Sequence, residues 1–279
     1  MDNEPADGAS ERPSYWIAAA AVLFGLVAAI FFQIIVAVIG SSSGVSGSHQ
    51  TPAMNNADNY LLDLSFVGSA LYFTMVSSLR RRLEFGYRRI PWLTGVAALL
   101  AAGAAYYGVT LLYSLAFDLH GTDQLPNGLG VRHLGWAIVV AVYVCAVAPM
   151  AEEFFFRGFL FGILRRMRVV VAGRQVGPWV AAAIVGILFG LAHFDSAQPE
   201  FLIPLGFLGF VLCLVRWRTG SLYPCMALHS LNNSIAFSVN EHLGWGAGGV
   251  LALTIGSLVL IALVTGPLSA SRSQPVTPV

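Results

Sequence analysis

The chain alternates between long apolar runs and short polar segments. A hydrocarbon core of about 30 Å needs roughly 20 apolar residues in helical form, and about eight runs approach that length. They cover residues 15–40, 60–79, 92–117, 133–164, 176–193, 201–215, 222–239 and 245–264. The pattern therefore predicts an all-α fold, a polytopic membrane bundle of about eight transmembrane helices.

Polar segments at the two ends and one Gly/Ser-rich stretch divide the chain. Residues 1–14 lack the basic region and cleavage site of a secretory signal, so the first run is expected to remain as a membrane anchor. The Gly/Ser-rich residues 41–59 are predicted to form a flexible loop. We predict a short polar N-terminal tail (1–14), one transmembrane helical domain (15–268) with its motif core at 152–233, and a polar C-terminal tail (269–279).

Composition narrows the class of protein further. Hydrophobic residues make up 57% of the chain and charged residues only 10%, whereas a soluble domain carries about a quarter charged residues. The formal net charge of +1 leaves no basic field for nucleic acid. All the basic residues are arginine, which favours a GC-rich bacterial source. A soluble enzyme and a nucleic-acid-binding protein are both excluded.

Arginine placement predicts the orientation in the membrane, because basic residues in short loops are retained on the cytoplasmic side. The even-numbered loops between the predicted spans hold Arg80, Arg81, Arg82, Arg88, Arg89, Arg165, Arg166, Arg168, Arg174, Arg216 and Arg218. The odd-numbered loops hold only Arg132. We therefore predict an integral protein of a bacterial cytoplasmic membrane with both termini in the cytoplasm.

Ionisable residues inside the apolar runs are candidates for a functional site, because each costs at least about 2.5 kcal/mol at membrane depth. Counting helical rises from the arginines places Glu152, His193 and His229 roughly 20, 27 and 17 Å deep, so the three groups can meet near mid-membrane. Asp63, near the outer end of the second run, is expected to cap a helix or contact water. The candidates are Glu152, Glu153, Arg157, His193, His229, Asn233 and Asp63.

Helical geometry separates the two adjacent glutamates. Glu153 and Arg157 are four residues apart and share a face, so we predict a structural ion pair between them. Glu152 points about 100° away, has no local partner, and is predicted to project into a cavity. Pro149 removes a backbone hydrogen bond and is expected to kink the helix toward that cavity.

A carboxylate, two imidazoles and a carboxamide suit a hydrolytic reaction. Glu152 and His193 could take a proton from water and return it to a leaving amine. His229 and Asn233 could donate hydrogen bonds to the oxyanion of a tetrahedral intermediate. Alternatively, Glu152, His193 and His229 form the ligand set of a catalytic zinc ion with one open position. The residues leave both chemistries open.

The order and spacing of these residues resemble the three-motif signature of the intramembrane CAAX-protease and bacteriocin-processing (CPBP, Abi) family. The motifs are Glu152-Glu153-x-x-x-Arg157, then Phe189-x-x-x-His193, then His229-x-x-x-Asn233 preceded by RTGSLYP at residues 218–224. The resemblance implies an endopeptidase similar to type II CAAX prenyl endopeptidases, with a helical bundle around a conical catalytic cavity. In such relatives the residues matching Glu152 and His193 are thought to activate water, and those matching His229 and Asn233 to hold the oxyanion. Many members are described as metalloproteases, so the resemblance carries the zinc alternative with it.

The expected function is an intramembrane endopeptidase acting on membrane-associated peptides or proteins, lipidated ones among them. Its expected partners are this substrate and membrane lipid. The alternative is a non-catalytic membrane scaffold or bacteriocin-immunity protein that keeps the polar cluster for folding. Glu152 discriminates between them, because a scaffold needs the Glu153–Arg157 pair but gains nothing from an unpaired carboxylate beside it. A transporter is disfavoured because the sequence shows no internal repeat.

Overall fold

The part of the chain that the computed structural model describes is almost entirely helical. It comprises residues 15–45, 51–77, 84–119, 134–194, 196–240 and 246–269, so the predicted tail at 1–14 and all but the first residue of the predicted tail at 269–279 lie outside it. The helices are α1 (Trp16–Ser42), α2 (Pro52–Val76), α3 (Trp92–Phe117), α4 (Leu134–Leu164), α5 (Gly177–Ala192), α6 (Leu202–Thr219), α7 (Tyr223–Asn240) and α8 (Gly246–Thr265). A two-stranded antiparallel hairpin of β1 (Val170–Val171) and β2 (Arg174–Gln175) joins α4 to α5. The all-α class predicted from the sequence is confirmed.

Five helical segments of the described chain are long and apolar enough to cross a membrane. They are Trp16–Ser42, Trp92–Phe117, Leu134–Leu164, Pro199–Thr219 and Gly246–Leu268. Their outer faces expose apolar side chains; along α8, for example, Leu251, Ile255, Val259 and Leu263 form one exposed row. Such a face is compatible with lipid and not with water. The molecule is a helical membrane bundle, while the number of spans and the side of each terminus stay predictions.

The predicted loop at residues 41–59 was wrong over most of its described length. Ser41 and Ser42 complete α1, and α2 begins at Pro52; residues 46–50 lie outside the described chain. The side chain of Thr51 accepts a hydrogen bond from the backbone N–H of Met54, with proline at the first helical position. This N-cap starts the helix despite its polar first turns. As a result, Asp63 lies in the middle of α2 and not near its start.

The α5 and α6 helices pack with their backbones almost in contact. A Cβ atom added at Gly186 would lie 2.7 Å from the carbonyl oxygen of Gly206, and one at Gly190 would lie 2.6 Å from that of Leu202. Small residues allow helices in membranes this close approach. The pair therefore fixes the C-terminal end of α5, where His193 follows.

The α4 helix is continuous but contains two wider, π-helical segments, Tyr143–Val147 and Glu153–Leu160. Pro149 lies just after the first one. The N–H of Ala148 bonds to the carbonyl of Tyr143, five residues earlier, and Pro149 has no N–H to donate. Pro149 therefore offers no backbone donor to the carbonyls of Val144 and Cys145, which lie five and four residues before it. The structure shows a widened turn just before Pro149, and the kink toward the cavity stays a prediction.

Candidate active site

The two adjacent glutamates of α4 face different surroundings. Glu153 begins the second π-helical segment and its side chain is fully buried. Glu152 lines a cavity and keeps 18% of its side chain exposed. One residue of helical rotation thus separates a carboxylate in the protein interior from one on the cavity wall.

Glu153 and Arg157 form an ion pair in the bundle interior. Arg157 Nη1 lies 2.9 Å from Glu153 Oε1, and both side chains are fully buried. Arg157 Nη2 donates to the carbonyl oxygen of Gly209 at 3.3 Å, and its guanidinium lies 4.2 Å from the centre of the Phe189 ring. These contacts join α4 to α5 and α6 while neutralising both charges.

His229 of α7 contacts both glutamates. Its Nδ1 lies 2.9 Å from Glu153 Oε1, and its Nε2 lies 3.9 Å from Glu152 Oε2. Because the Glu153 carboxylate is an acceptor, His229 carries a hydrogen on Nδ1 and directs Nε2 at Glu152. The side chain is only 1% exposed, so His229 lies behind Glu152 as seen from the cavity.

His193 approaches Glu152 from the end of α5. It follows the last residue of α5, and its Nδ1 donates to the carbonyl oxygen of Phe189 at 2.9 Å. Its Nε2 lies 3.9 Å from Glu152 Oε2. The ring of Phe189 packs against both imidazoles, with ring centres 4.8 Å from His193 and 5.5 Å from His229. The phenylalanine four residues before His193 thus orients both histidines.

Glu152 is the point on which the two histidines converge. Its Oε2 lies 3.9 Å from each Nε2 atom and has no hydrogen-bond partner among the described residues. A separation of 3.9 Å is too long for a direct hydrogen bond. The arrangement therefore presents one carboxylate oxygen and two ring nitrogens with unshared electron pairs to the same small space.

Asn233 is held by the widened turn of α4. Its Nδ2 donates to the carbonyl oxygen of Val144 at 2.8 Å, and one turn earlier the hydroxyl of Ser230 donates to that of Cys145. These are the two carbonyls to which Pro149 cannot donate. The amide of Asn233 also lines the cavity, and its second N–H is free of the Val144 bond.

The cavity opens between α2, α4, the end of α5 and α7. Polar side chains line the cavity on all four sides, and the rest of its lining is apolar or aromatic. The polar lining residues are Asn59, Asp63, Tyr143, Glu152, His193, Ser196 and Asn233. The structure thus brings Glu152, His193 and Asn233 to one cavity, with His229, Glu153 and Arg157 in the wall behind Glu152.

Asp63 lies on this cavity wall, although the sequence indicated a helix cap or a water contact. Its Oδ2 accepts a hydrogen bond from the hydroxyl of Tyr143 at 2.9 Å. The start of α2 at Pro52 explains the difference, since Asp63 is three turns into the helix. The available signal was an ionisable residue in an otherwise apolar segment.

The described residues contain no group of three or more His, Cys, Asp or Glu side chains that is arranged to hold a metal ion. Zinc binding by Glu152, His193 and His229 stays a prediction. Both imidazoles have Nδ1 occupied by a protein acceptor and Nε2 directed at Glu152. Metal-binding histidines are commonly oriented through their other nitrogen in the same way.

Comparison with known proteins identifies the region that carries this site. Residues 134–235 match the family model described as type II CAAX prenyl endopeptidase Rce1-like, and this range contains every candidate site residue except Asp63. The chain is 26% identical over 140 residues to the "Uncharacterized 24.3 kDa protein" of Escherichia coli, covering 50% of this chain and 59% of that protein. It is 32% identical over 137 residues to the "Uncharacterized protein YyaK" of Bacillus subtilis (strain 168), covering 46% of this chain and 43% of that protein. The chain thus spans about half the length of the curated relatives it matches. No solved structure matches it.

Proposed function

We propose that this protein is an intramembrane endopeptidase that hydrolyses peptide bonds of membrane-associated substrates, since residues 134–235 match the type II CAAX prenyl endopeptidase Rce1-like family model. The observation that carries the proposal is the position of Glu152 Oε2, which lies on a cavity wall 3.9 Å from two imidazole nitrogens. Two imidazole nitrogens that converge on one carboxylate oxygen are an arrangement suited to general acid–base catalysis.

Glu152 and His193 activate water in the proposed reaction. In this reaction one water molecule bridges Glu152 Oε2 and His193 Nε2, whose separation of 3.9 Å is too long for a direct hydrogen bond. Glu152 takes a proton from this water as its oxygen attacks the carbonyl carbon of the substrate. The proton then passes to the amide nitrogen, the C–N bond breaks, and a carboxylic acid and an amine leave.

Asn233 and His229 stabilise the oxyanion of the intermediate. Asn233 can donate its second N–H, because the first is held by Val144. His229 has its Nδ1 hydrogen directed at Glu153, so it donates from Nε2 only when the imidazole is protonated. Glu153 then stabilises the imidazolium through the same contact. Each such donor is worth about 3 kcal/mol in a low-dielectric site.

A zinc-assisted form of the reaction uses the same residues differently. Glu152, His193 and His229 would be the zinc ligands, and Glu153 and Phe189 would orient the two imidazoles through Nδ1. A bound zinc ion would supply Lewis-acid activation of water. The oriented Nε2 atoms support this form, and metal analysis separates it from the glutamate-dependent one.

The deciding experiment compares protein termini in membranes of cells that make the wild type or Glu152→Gln at matched expression. Glutamine keeps the volume of the side chain and removes its charge, so folding should be retained. Glu200→Gln is the control, because it removes an exposed carboxylate outside the cavity. New termini that appear with wild type and the control but not with Glu152→Gln support the proposal. Identical sets of termini in all three would instead favour the scaffold or immunity function.

A further inference from the structure

The cavity beside Glu152 contains a second carboxyl group, which the proposed hydrolysis does not use. Asp63 of α2 accepts a hydrogen bond from the Tyr143 hydroxyl at 2.9 Å, and that hydroxyl also lies 3.0 Å from the carbonyl oxygen of Asn59. The Tyr143 ring packs on Tyr60 with 4.4 Å between ring centres. Tyr143 is itself the first residue of the widened turn in α4. Asp63 is therefore held in a defined position on the wall.

Apart from the imidazole of His193, the ionisable side chains that line the cavity are acidic. Glu152 and Asp63 are acidic, and none of the described residues that line the cavity is Arg or Lys. Arg157 lies behind the wall and is already paired with Glu153. Two ionised carboxyl groups on one cavity wall would repel each other, and a carboxylate at membrane depth is costly without a cation. A positive group entering the cavity would relieve both effects.

We propose that Asp63 is the specificity-determining residue of this endopeptidase and binds a Lys or Arg side chain of the substrate next to the cleaved bond. This inference rests on the proposed function. The charged head of the substrate side chain would meet the Asp63 carboxylate, and its aliphatic stem would lie along Leu62 and Phe66 of the same wall. Tyr143 acts as a positioning residue through its bond to Asp63. The same charges disfavour substrates with an acidic side chain at this position.

The test uses the purified full-length protein in phosphatidylcholine vesicles and a panel of peptides with an N-terminal palmitoyl chain. The peptides differ at one position, which is scanned along the chain as Lys, norleucine or Glu, and products are identified by mass spectrometry. Norleucine keeps the stem of lysine without its charge. Near the cleaved bond, wild type should prefer Lys over norleucine by on the order of tenfold to a hundredfold in kcat/KM, the range of one charge-assisted hydrogen bond. The Glu peptide should be the slowest.

Three variants assign this preference to Asp63. In Asp63→Asn the ratio of kcat/KM for the Lys and norleucine peptides should fall to near one. Tyr143→Phe keeps the carboxylate but removes the hydroxyl that holds it, so the ratio should fall part of the way. Glu200→Gln should leave the ratio unchanged, because this carboxylate lies outside the cavity. Thermal melting of each variant separates an effect on selectivity from an effect on folding. If Asp63→Asn does not fold, the ratio measured for Tyr143→Phe decides the test.

The outcomes separate this inference from the proposed function. Wild type that cleaves Lys and norleucine peptides equally overturns the role of Asp63 and leaves the peptidase intact. Equal loss of kcat/KM on all peptides in Asp63→Asn also overturns it, because Asp63 would then act in hydrolysis and not in selection. If wild type cleaves no more of the panel than Glu152→Gln does, the proposed function and this inference fail together for such substrates.

Discussion

His229 Nδ1 lies 2.9 Å from Oε1 of Glu153, the same oxygen that Arg157 Nη1 approaches at 2.9 Å. One buried carboxylate therefore neutralises an arginine and fixes the tautomer of a histidine that faces Glu152. Its roles in folding and in the site are physically coupled. Changes to either partner of Glu153 should accordingly affect both stability and the geometry around Glu152.

Removal of the Arg157 side chain should strongly destabilise the bundle. Arg157→Ala leaves Glu153 buried without its cation, and breaking a buried ion pair costs about 3–5 kcal/mol. We expect a large fall in the thermal melting temperature, measured by tryptophan fluorescence in detergent. Arg174→Ala removes an exposed arginine of the β2 strand and serves as the control. Equal melting of the two variants would contradict a structural role for the Glu153–Arg157 pair.

Removal of the Asn233 amide should slow the chemical step. Asn233→Ala deletes an oxyanion donor, and such deletions lower kcat by about a hundredfold to a thousandfold. KM should change little if the donor acts mainly in the transition state. Single-turnover kinetics, with a peptide that the wild type cleaves, separates the effect on the chemical step from the effect on substrate binding. A fall confined to substrate binding would remove Asn233 from the oxyanion site.

Pro149 should act on catalysis through Asn233. Pro149→Ala supplies an N–H that competes for the carbonyls of Val144 and Cys145, which now accept bonds from Asn233 and Ser230. We expect lower kcat in the wild-type background and a much smaller effect in Asn233→Ala, as measured by a double-mutant cycle. Additive effects of the two substitutions would show that Pro149 does not act through this amide.

Close packing of α5 on α6 should not tolerate a methyl group at Gly190. The added Cβ would lie 2.6 Å from the carbonyl oxygen of Leu202, and overpacking typically costs about 1–3 kcal/mol. Gly256→Ala in α8 is the matched control, since nothing lies within 4 Å of its Cβ position. The control should melt at or slightly above the wild-type temperature. Unchanged melting of Gly190→Ala would contradict the backbone contact.

Metal analysis decides between the two forms of the proposed reaction. In the glutamate-dependent form, purified protein should keep its activity in the presence of a strong chelator and contain zinc well below one equivalent. In the zinc-assisted form, chelation should abolish activity and added zinc should restore it. His229→Ala then gives a second measure, because it should lower zinc content only if His229 is a ligand.

The sequence was sufficient to predict the helical class of the fold and to single out the residues of the three motifs. Apolar runs predict membrane helices because lipid requires internal hydrogen bonding, and motif spacing places side chains on one face of a helix. It was not sufficient to predict the N-cap that sets the start of α2 or the widened turn in α4. The Thr51 cap moved Asp63 into the middle of α2, and the π-helical segment directed Tyr143 onto it. A hydropathy profile detects neither the cap nor the widened turn.

The widened turn at Tyr143–Val147 means that α4 holds one residue more than a regular helix of the same length would. A single-residue deletion there would leave every motif from Glu152 to Asn233 intact in an alignment. It would nevertheless close the widened turn into a regular one, because a wider turn is how a helix accommodates one extra residue. The carbonyl that holds Asn233 and the hydroxyl that holds Asp63 both belong to this turn, so their positions would shift with it. A relative with intact motifs thus shares this site only if its residue count between Tyr143 and Glu152 is also the same.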